Sequence, residues 1–211
     1  MSPAGPPVTG VAAFKKMLWQ ENPVLVQILG ICSTLAVTNL VKNTLVMCVG
    51  LIFATAMSSA TVAWLRHHTP RRVRMMAQVL VIAAWVIVIK ILLDAFLPEI
   101  SRELGPYVGL IITNCIVMGR TEAYAIANRP FDSFLDGAGA GVGYSLVLLG
   151  IASVREPLGL GSWFGLPLLP AGFTRWNIMV IAPSGFFCLA TVIWVVRARQ
   201  LAAAKPAGPA K

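Results

Sequence analysis

Six stretches of the chain are apolar enough and long enough to cross a lipid bilayer as helices. They cover residues 24–41, 45–64, 76–97, 107–127, 134–154 and 177–196. Most are close to the ~20 residues that span a hydrocarbon layer of ~30 Å. Apolar and polar positions do not alternate as in strands, and backbone groups in lipid must find partners within their own segment. The pattern therefore predicts an all-α polytopic membrane protein with six transmembrane helices.

Composition supports this class, and the basic residues give it an orientation. Hydrophobic residues make up 57% of the chain and charged residues 12%, and the mean hydropathy is +0.79. If the Arg-rich loop at residues 66–74 is cytoplasmic, the positive-inside rule places both termini in the cytoplasm. The net charge of +9 is then explained by basic residues at the membrane surface, and nucleic-acid binding is not expected. The cytoplasmic side holds Lys15, Lys16, Arg66, Arg71, Arg72, Arg74, Arg129, Arg197, Arg199, Lys205 and Lys211, and the outer loops hold Lys42, Arg102, Arg155 and Arg175.

The chain contains a weak internal repeat. "NPVLVQILGICSTLAVT" from residue 22 aligns with "GPYVGLIITNCIVMGRT" from residue 105, so that Pro23 falls on Pro106 and Cys32 on Cys115. Three spans precede the second copy, and an odd number of spans inverts its direction through the membrane. The predicted organisation is a cytoplasmic N-terminal segment (1–21), a first three-helix repeat (22–104), a second, inverted three-helix repeat (105–197) and a disordered cytoplasmic tail (198–211).

Both repeat cysteines are predicted to lie near the membrane midplane. Each follows its proline by nine residues, a helical rise of about 13.5 Å in a core of ~30 Å. An ideal fourth helix would leave Arg120 within the hydrocarbon, where a charge facing lipid is costly. We therefore predict a break near residues 113–119 and, through the repeat, a second one near residues 30–34. The first and fourth helices are thus expected to be broken or half-length.

The four cysteines divide into two pairs. Cys32 and Cys115 are repeat mates, whereas the mate of Cys48 is a phenylalanine. Packing as small apolar side chains is the expected role of Cys48 and Cys188. Thiolates are the usual ligands of iron–sulfur clusters, which take four. If Cys32 and Cys115 are ligands, the other two come either from Cys48 and Cys188 or from a second subunit with a similar pair.

Four motifs carry a family resemblance that runs from about residue 22 to residue 197. They are "LGICSTLAVT" from residue 29, "VGLIITNCIVMGRTEAYA" from residue 108, "FLDGAGAGVGY" from residue 134 and "APSGFF" from residue 182. They are similar to the membrane subunits shared by the sodium-translocating NADH:quinone reductases and the Rnf complexes. "VRMMAQVLVIA" from residue 73 favours the quinone reductases. The resemblance implies an inverted three-plus-three repeat of six helices, with half-length first and fourth helices meeting in the middle of the membrane.

The same resemblance implies a cofactor and partners. The cysteines matching Cys32 and Cys115 would join two from a paralogous membrane subunit and hold one [2Fe-2S] cluster at the interface. The cluster would relay electrons within a six-subunit complex of the bacterial inner membrane that oxidises NADH, reduces ubiquinone and moves Na⁺. NADH, the flavins and the quinone are expected on other subunits, so this chain would not be catalytic alone.

Asp136 is the candidate residue for a cation pathway. It begins "DGAGAGVG", which no strand precedes, so a nucleotide-binding loop is not expected. Its glycines, paired as Gly137 with Gly141 and Gly139 with Gly143, instead predict a close helix contact. Acidic groups within a membrane tend to be functional. The alternative is that Asp136 is an ordinary interfacial carboxylate.

Two functions of other classes fit the same pattern. Inverted repeats with broken helices are also typical of secondary transporters, and a scaffold subunit in which the cysteines only pack is the third hypothesis. Among the remaining charges, Lys90 and Asp94 are predicted to pair four residues apart on one helix face. Arg120 and Glu122 are expected to find partners in the broken backbone or at the cluster.

Overall fold

The computed structural model describes residues 22–70, 72–96, 98–159, 162–163, 166–167 and 181–204. Over these residues the chain is helical apart from its connections and one small hairpin. The helices are α1 (Ile31–Val37), α2 (Val41–Leu65), α3 (Arg74–Phe96), α4 (Pro98–Ile112), α5 (Cys115–Arg120), α6 (Pro130–Gly159) and α7 (Ala182–Ala204). A π-helical turn, Thr121–Ala125, continues α5. The strands β1 (Ser162–Trp163) and β2 (Leu166–Pro167) pair antiparallel, with Ser162 opposite Pro167.

Three helices of the described part are long and apolar enough to cross a membrane, namely α2, α3 and α6. They correspond to the second, third and fifth predicted spans. Within the most apolar 18-residue segment of each helix, 50% of the residues of α2 and 56% of those of α6 are buried inside the protein, against 17% for α3. Since α2 and α6 bury the most, they form the centre of the fold, and α3 lies at its periphery.

Glycines bring α6 against α2. A Cβ atom added to Gly141 would lie 2.9 Å from the Cα of Ile52, and one added to Gly137 would lie 2.8 Å from the carbonyl oxygen of Thr55. Both distances are too short for a real side chain, so the two backbones approach this closely only because both residues are glycine. The predicted close contact through Gly137 and Gly141 is confirmed, and its partner is α2.

The first predicted span is not a continuous helix. Residues 22–30 form turns and irregular backbone, and α1 begins only at Ile31. Ile28 and Gly30 have positive φ angles of 56° and 82°, which the α-helix does not allow. The break was predicted near residues 30–34, but it covers residues 22–30, and residues 31–34 are helical. The seven residues of α1 rise about 10 Å, well short of a bilayer core.

The fourth predicted span is broken where the sequence predicts. Helix α4 ends at Ile112, Thr113 and Asn114 lie outside any helix, and α5 begins at Cys115. The side chain of Asn114 accepts a hydrogen bond from the backbone N–H of Ile116 at 3.1 Å, and so caps the new helix. The helix then continues past Arg120, so the charges follow the break and do not mark it. Because α4 begins at Pro98, the proposed boundary between the repeats at residues 104–105 lies inside a helix.

The predicted ends of two helices are wrong. Arg155, expected in an outer loop, lies within α6 and is buried, because this helix continues to Gly159. The tail was expected to be disordered from residue 198, yet α7 continues to Ala204. Residues 1–21 and 205–211, and the start of the sixth predicted span at residues 177–180, lie outside the described residues.

Candidate functional site

Cys32 and Cys115 lie at equivalent places on two short helices. Cys32 is the second residue of α1, Cys115 is the first residue of α5, and both side chains are exposed. Cys48 is buried, and its thiol donates to the carbonyl oxygen of Ser145 at 3.9 Å. Cys188 is half-buried. The repeat-related pair is therefore the pair that reaches the surface of the chain.

A hydrogen-bonded link joins the residues beside the two cysteines. The side-chain amide of Asn114, just before Cys115, donates to the hydroxyl of Ser33, just after Cys32, at 3.1 Å. Ser33 also shares a hydrogen bond with the hydroxyl of Tyr144, which comes from α6. The starts of α1 and α5 are thus fixed to each other and to the central helix.

Close packing at Gly30 reinforces this link. A Cβ atom on Gly30 would lie 2.7 Å from Ile116 Cδ1 and 2.7 Å from Tyr144 Cε2. Both of these side chains are fully buried, so they have little room to move aside. The glycine supplies both the left-handed φ angle and the space, and the start of α1 can lie directly on the start of α5.

The thiols fit half of an iron–sulfur site. Within the residues that the structure describes, no group of three or more His, Cys, Asp or Glu side chains is placed to hold a metal ion. All four cysteines belong to that part of the chain, so Cys48 and Cys188 do not complete a site with Cys32 and Cys115. A [2Fe-2S] cluster needs four ligands. Of the two sources of further ligands that the sequence left open, the second subunit stays a prediction.

Asp136 lies in the interior and pairs with Arg120. The guanidinium donates to the carboxylate through Nε at 2.9 Å and through Nη2 at 2.6 Å. Arg120 is 7% exposed and Asp136 1% exposed, so neither group faces solvent or lipid. A bidentate pair is the arrangement that best offsets the desolvation of two buried charges. Asp136 is therefore not exposed on this chain, and Arg120, expected to find its partner in the broken backbone or at the cluster, pairs with Asp136.

Glu122 and Asp94 also have local partners. Glu122 accepts a hydrogen bond from the amide of Gln78 on α3 at 2.7 Å, and its other carboxylate oxygen lies 4.0 Å from the guanidinium of Arg74. Asp94, predicted to pair with Lys90, accepts a hydrogen bond from the hydroxyl of Ser101. These contacts join α3 to its neighbours at both of its ends.

Two buried charges near the end of α6 were not predicted from the sequence. Arg155 is 2% exposed and Glu156 1% exposed. Arg155 donates to the hydroxyl of Thr38 at 2.7 Å, and Glu156 accepts from the backbone N–H of Val41 at 2.7 Å. A charged pair after an apolar run is typical of a loop, which is why Arg155 was placed outside the helix. Pro157 at the next position is also typical of a helix end, although it lies inside α6.

The fold and the site together define an integral membrane subunit that exposes two thiols at paired helix starts. The comparisons with known proteins agree with this class. The model of the Rnf-Nqr family, described as "Rnf-Nqr subunit, membrane protein", matches residues 11–193. The chain therefore belongs to the Rnf-Nqr family of membrane proteins.

Its curated relatives belong to the branch that the sequence favoured. The D subunit of the Na(+)-translocating NADH-quinone reductase of Aeromonas salmonicida (strain A449) is 48% identical over 185 residues, which cover 85% of this chain and 88% of the relative. The protein of the same name from Pseudoalteromonas translucida (strain TAC 125) is 45% identical over 182 residues, which cover 84% of this chain and 87% of the relative. The resemblance to this subunit is confirmed.

Proposed function

We propose that the chain is an integral membrane subunit of a redox-driven Na⁺ pump, an NADH:ubiquinone reductase. It lies in the bacterial inner membrane with both termini in the cytoplasm. It relays electrons through a [2Fe-2S] cluster shared with a paralogous subunit. The observation that carries this proposal is the exposed pair Cys32 and Cys115 on two joined helix starts, in a chain whose relatives are named as subunits of such a reductase.

The cluster supplies one-electron transfer when it is bound, and the chain supplies the surroundings. Cys32 and Cys115 would provide two of its four ligands. The hydrogen bond from Asn114 to Ser33 holds the two helix starts together, because it joins neighbours of both ligands. On the inner side, Ile116 and Tyr144 are fully buried and exclude water. A supporting shell of this kind orients ligands and tunes a metal site.

The remaining ligands and reactions are assigned to other subunits. A paralogous membrane subunit in the opposite orientation would add two cysteines and complete the cluster, with a six-helix inverted repeat in each. NADH, the flavins and ubiquinone would bind elsewhere in a six-subunit complex. The exposure of both thiols supports this division, since a ligand pair at an interface must lie at the surface of its own chain.

The test uses the purified complex with single cysteine substitutions. Cys32→Ala and Cys115→Ala should each remove the iron and the electron paramagnetic resonance signal of one [2Fe-2S] cluster, because each variant takes away one of four ligands. Cys48→Ala and Cys188→Ala are the matched controls and should keep both. An unchanged cluster signal in the first two variants would rule out the assignment. An iron-free complex would instead favour a secondary transporter.

A second role, in the cation pathway, is proposed for Asp136. It is a carboxylate buried in the interior and paired with the side chain of Arg120, and acids at such positions are characteristic of ion pathways. Asp136→Asn keeps the shape and removes the charge, so the Na⁺ concentration for half-maximal turnover should rise by about 10-fold or more. Asp132→Asn, one turn earlier on α6, is the control. Unchanged Na⁺ dependence in Asp136→Asn would refute the role.

A further inference from the structure

Helix α1 has too few residues to hold its own position. An isolated helix shorter than about 12 residues is only marginally stable, and α1 has seven. The last four carbonyl groups of any helix also lack partners within it. The position of Cys32 therefore depends on the groups that satisfy the end of α1.

Side chains supply those partners at the end of α1. The carbonyl of Thr34 accepts from the hydroxyl of Thr38 at 2.6 Å, and that of Val37 accepts from the hydroxyl of Thr44 at 2.9 Å. The carbonyl of Leu35 accepts from Arg155 Nη1 at 3.5 Å. The same Nη1 atom donates to the Thr38 hydroxyl at 2.7 Å. Arg155 thus contacts the last turn of α1 at Leu35 and the residue that follows this helix, Thr38, and it is the one charged group among these donors.

The rest of the guanidinium reaches α7. Arg155 Nε donates to the hydroxyl of Ser184 at 3.1 Å, and Nη2 donates to the carbonyl of Ile181 at 3.0 Å. A Cβ atom on Gly185 would lie 2.8 Å from Leu35 Cδ2, so α7 packs closely against α1 at the same level. One buried side chain of α6 therefore joins the end of α1 to the start of α7.

The next residue fixes the start of α2. Glu156 accepts a hydrogen bond from the backbone N–H of Val41 at 2.7 Å, and Val41 is the first residue of α2. The connection between α1 and α2 is therefore held from both ends by two consecutive residues of α6. Arg155 faces the carbonyl end of one helix and Glu156 faces the amide end of the next, the arrangement that helix electrostatics favours.

We infer that Arg155 is the positioning residue for Cys32. It acts through α1, which it holds against α6 and α7. The inference rests on the proposed cluster for its consequence, since the purpose of a fixed α1 is a fixed ligand. Cys115 lies on α5, which keeps its own anchor through Arg120 and Asp136 when Arg155 is replaced, so it provides an internal reference.

The experiment compares four variants of the purified complex. Arg155→Met removes the anchor, and Arg155→Lys keeps a charge that can reach fewer acceptors. Thr38→Val removes the hydroxyl that accepts from Arg155 beside α1. Ser184→Ala removes the hydroxyl that accepts from Arg155 on α7 and is the matched control. The first readout is the rate of cluster loss to an iron chelator. The second is the ratio of maleimide labelling at Cys32 to that at Cys115 after the cluster has been removed.

Loss of a supporting group weakens a metal site by roughly 10-fold or more. Cluster loss should therefore be about 10-fold faster in Arg155→Met, with a smaller acceleration in Thr38→Val and partial recovery in Arg155→Lys. Ser184→Ala should have a smaller effect than Thr38→Val, because the contacts of the guanidinium with Leu35 and Thr38 remain. The labelling ratio should rise in the same order, because only Cys32 loses its support.

Three results would overturn the inference. One is unchanged cluster loss and labelling in Arg155→Met, another is equal acceleration in Thr38→Val and Ser184→Ala, and the third is increased labelling of both cysteines together. If Arg155→Met fails to assemble, the comparison of Thr38→Val with Ser184→Ala decides alone. A complex without iron would contradict the proposed function, but the labelling ratio would still test whether Arg155 positions α1.

Discussion

Helices α1 and α5 carry the two repeat cysteines, yet the chain builds their starts differently. Before α1 the backbone is irregular over residues 22–30 and turns through positive φ angles at Ile28 and Gly30. Before α5 only Thr113 and Asn114 leave the helix, and the Asn114 side chain caps the new one. A glycine with a left-handed backbone and a capping asparagine therefore both allow a short helix to begin. In the two aligned segments the helices start within one residue of each other, although different residues start them.

The ends of the two helices show the same difference. Helix α5 carries its own anchor, Arg120, which donates to Asp136 on α6. Helix α1 has no charged residue and receives its anchor, Arg155, from α6. Each short helix is therefore fixed to the central helix by one buried arginine, but the direction of the contact is reversed. Comparison of the two halves of the sequence cannot reveal this, because the two arginines are not repeat mates.

Breaking the anchor of α5 should have the largest effect. Arg120→Met leaves Asp136 as a buried charge without its arginine, which typically costs about 3 to 5 kcal/mol of stability. We expect a strongly lowered midpoint temperature for thermal denaturation of the purified complex. The double variant Arg120→Met with Asp136→Leu removes both charges and should recover most of the loss, because paired charges can be replaced by packed apolar groups. If the double variant is no more stable than the single one, the cost is not electrostatic.

The start of α1 should be the next most sensitive point. Gly30→Ala forces a side chain into the left-handed region, at a cost of roughly 1 to 2 kcal/mol, and pushes its Cβ against Ile116 and Tyr144. Its repeat mate Thr113 is exposed, and Thr113→Ala should change the midpoint temperature little. Gly150→Ala, where an added Cβ meets no atom within 4 Å, is a second control. Equal effects at residues 30 and 113 would show that the two starts are built alike.

The smallest expected effect separates the two roles of Asn114. Asn114→Ala removes both the cap on α5 and the hydrogen bond to Ser33, and loss of a cap costs about 1 kcal/mol. Asn114→Ser can restore the cap but is too short to reach Ser33. We expect Asn114→Ser to recover the midpoint temperature of the complex. Maleimide labelling of Cys32 should still differ from that of the unsubstituted protein, as in Asn114→Ala. Recovery of both properties would mean that the link to Ser33 does not position α1.

The sequence predicted the breaks well and their causes less well. The depth that a continuous helix would give Arg120 predicted the break beside Cys115, because the helical rise is constant. The reason drawn from Arg120 was only half right, since this residue is buried but pairs with Asp136 beyond the break. Arg155 was missed because its acceptor Thr38 is 117 residues away, and no local pattern encodes such a contact. The glycines of α6 were predictable because helix packing repeats every four residues.

The anchoring of both short helices on α6 has a consequence for motion. Gly137 and Gly141 allow α6 to pack closely against α2, and we call these two long helices the spine. Both α1 and α5 are attached to side chains of the spine. If the spine tilts or shifts as a body, both thiols travel with it and the separation between them is preserved. Such a movement would therefore leave the proposed pair of ligands unstretched.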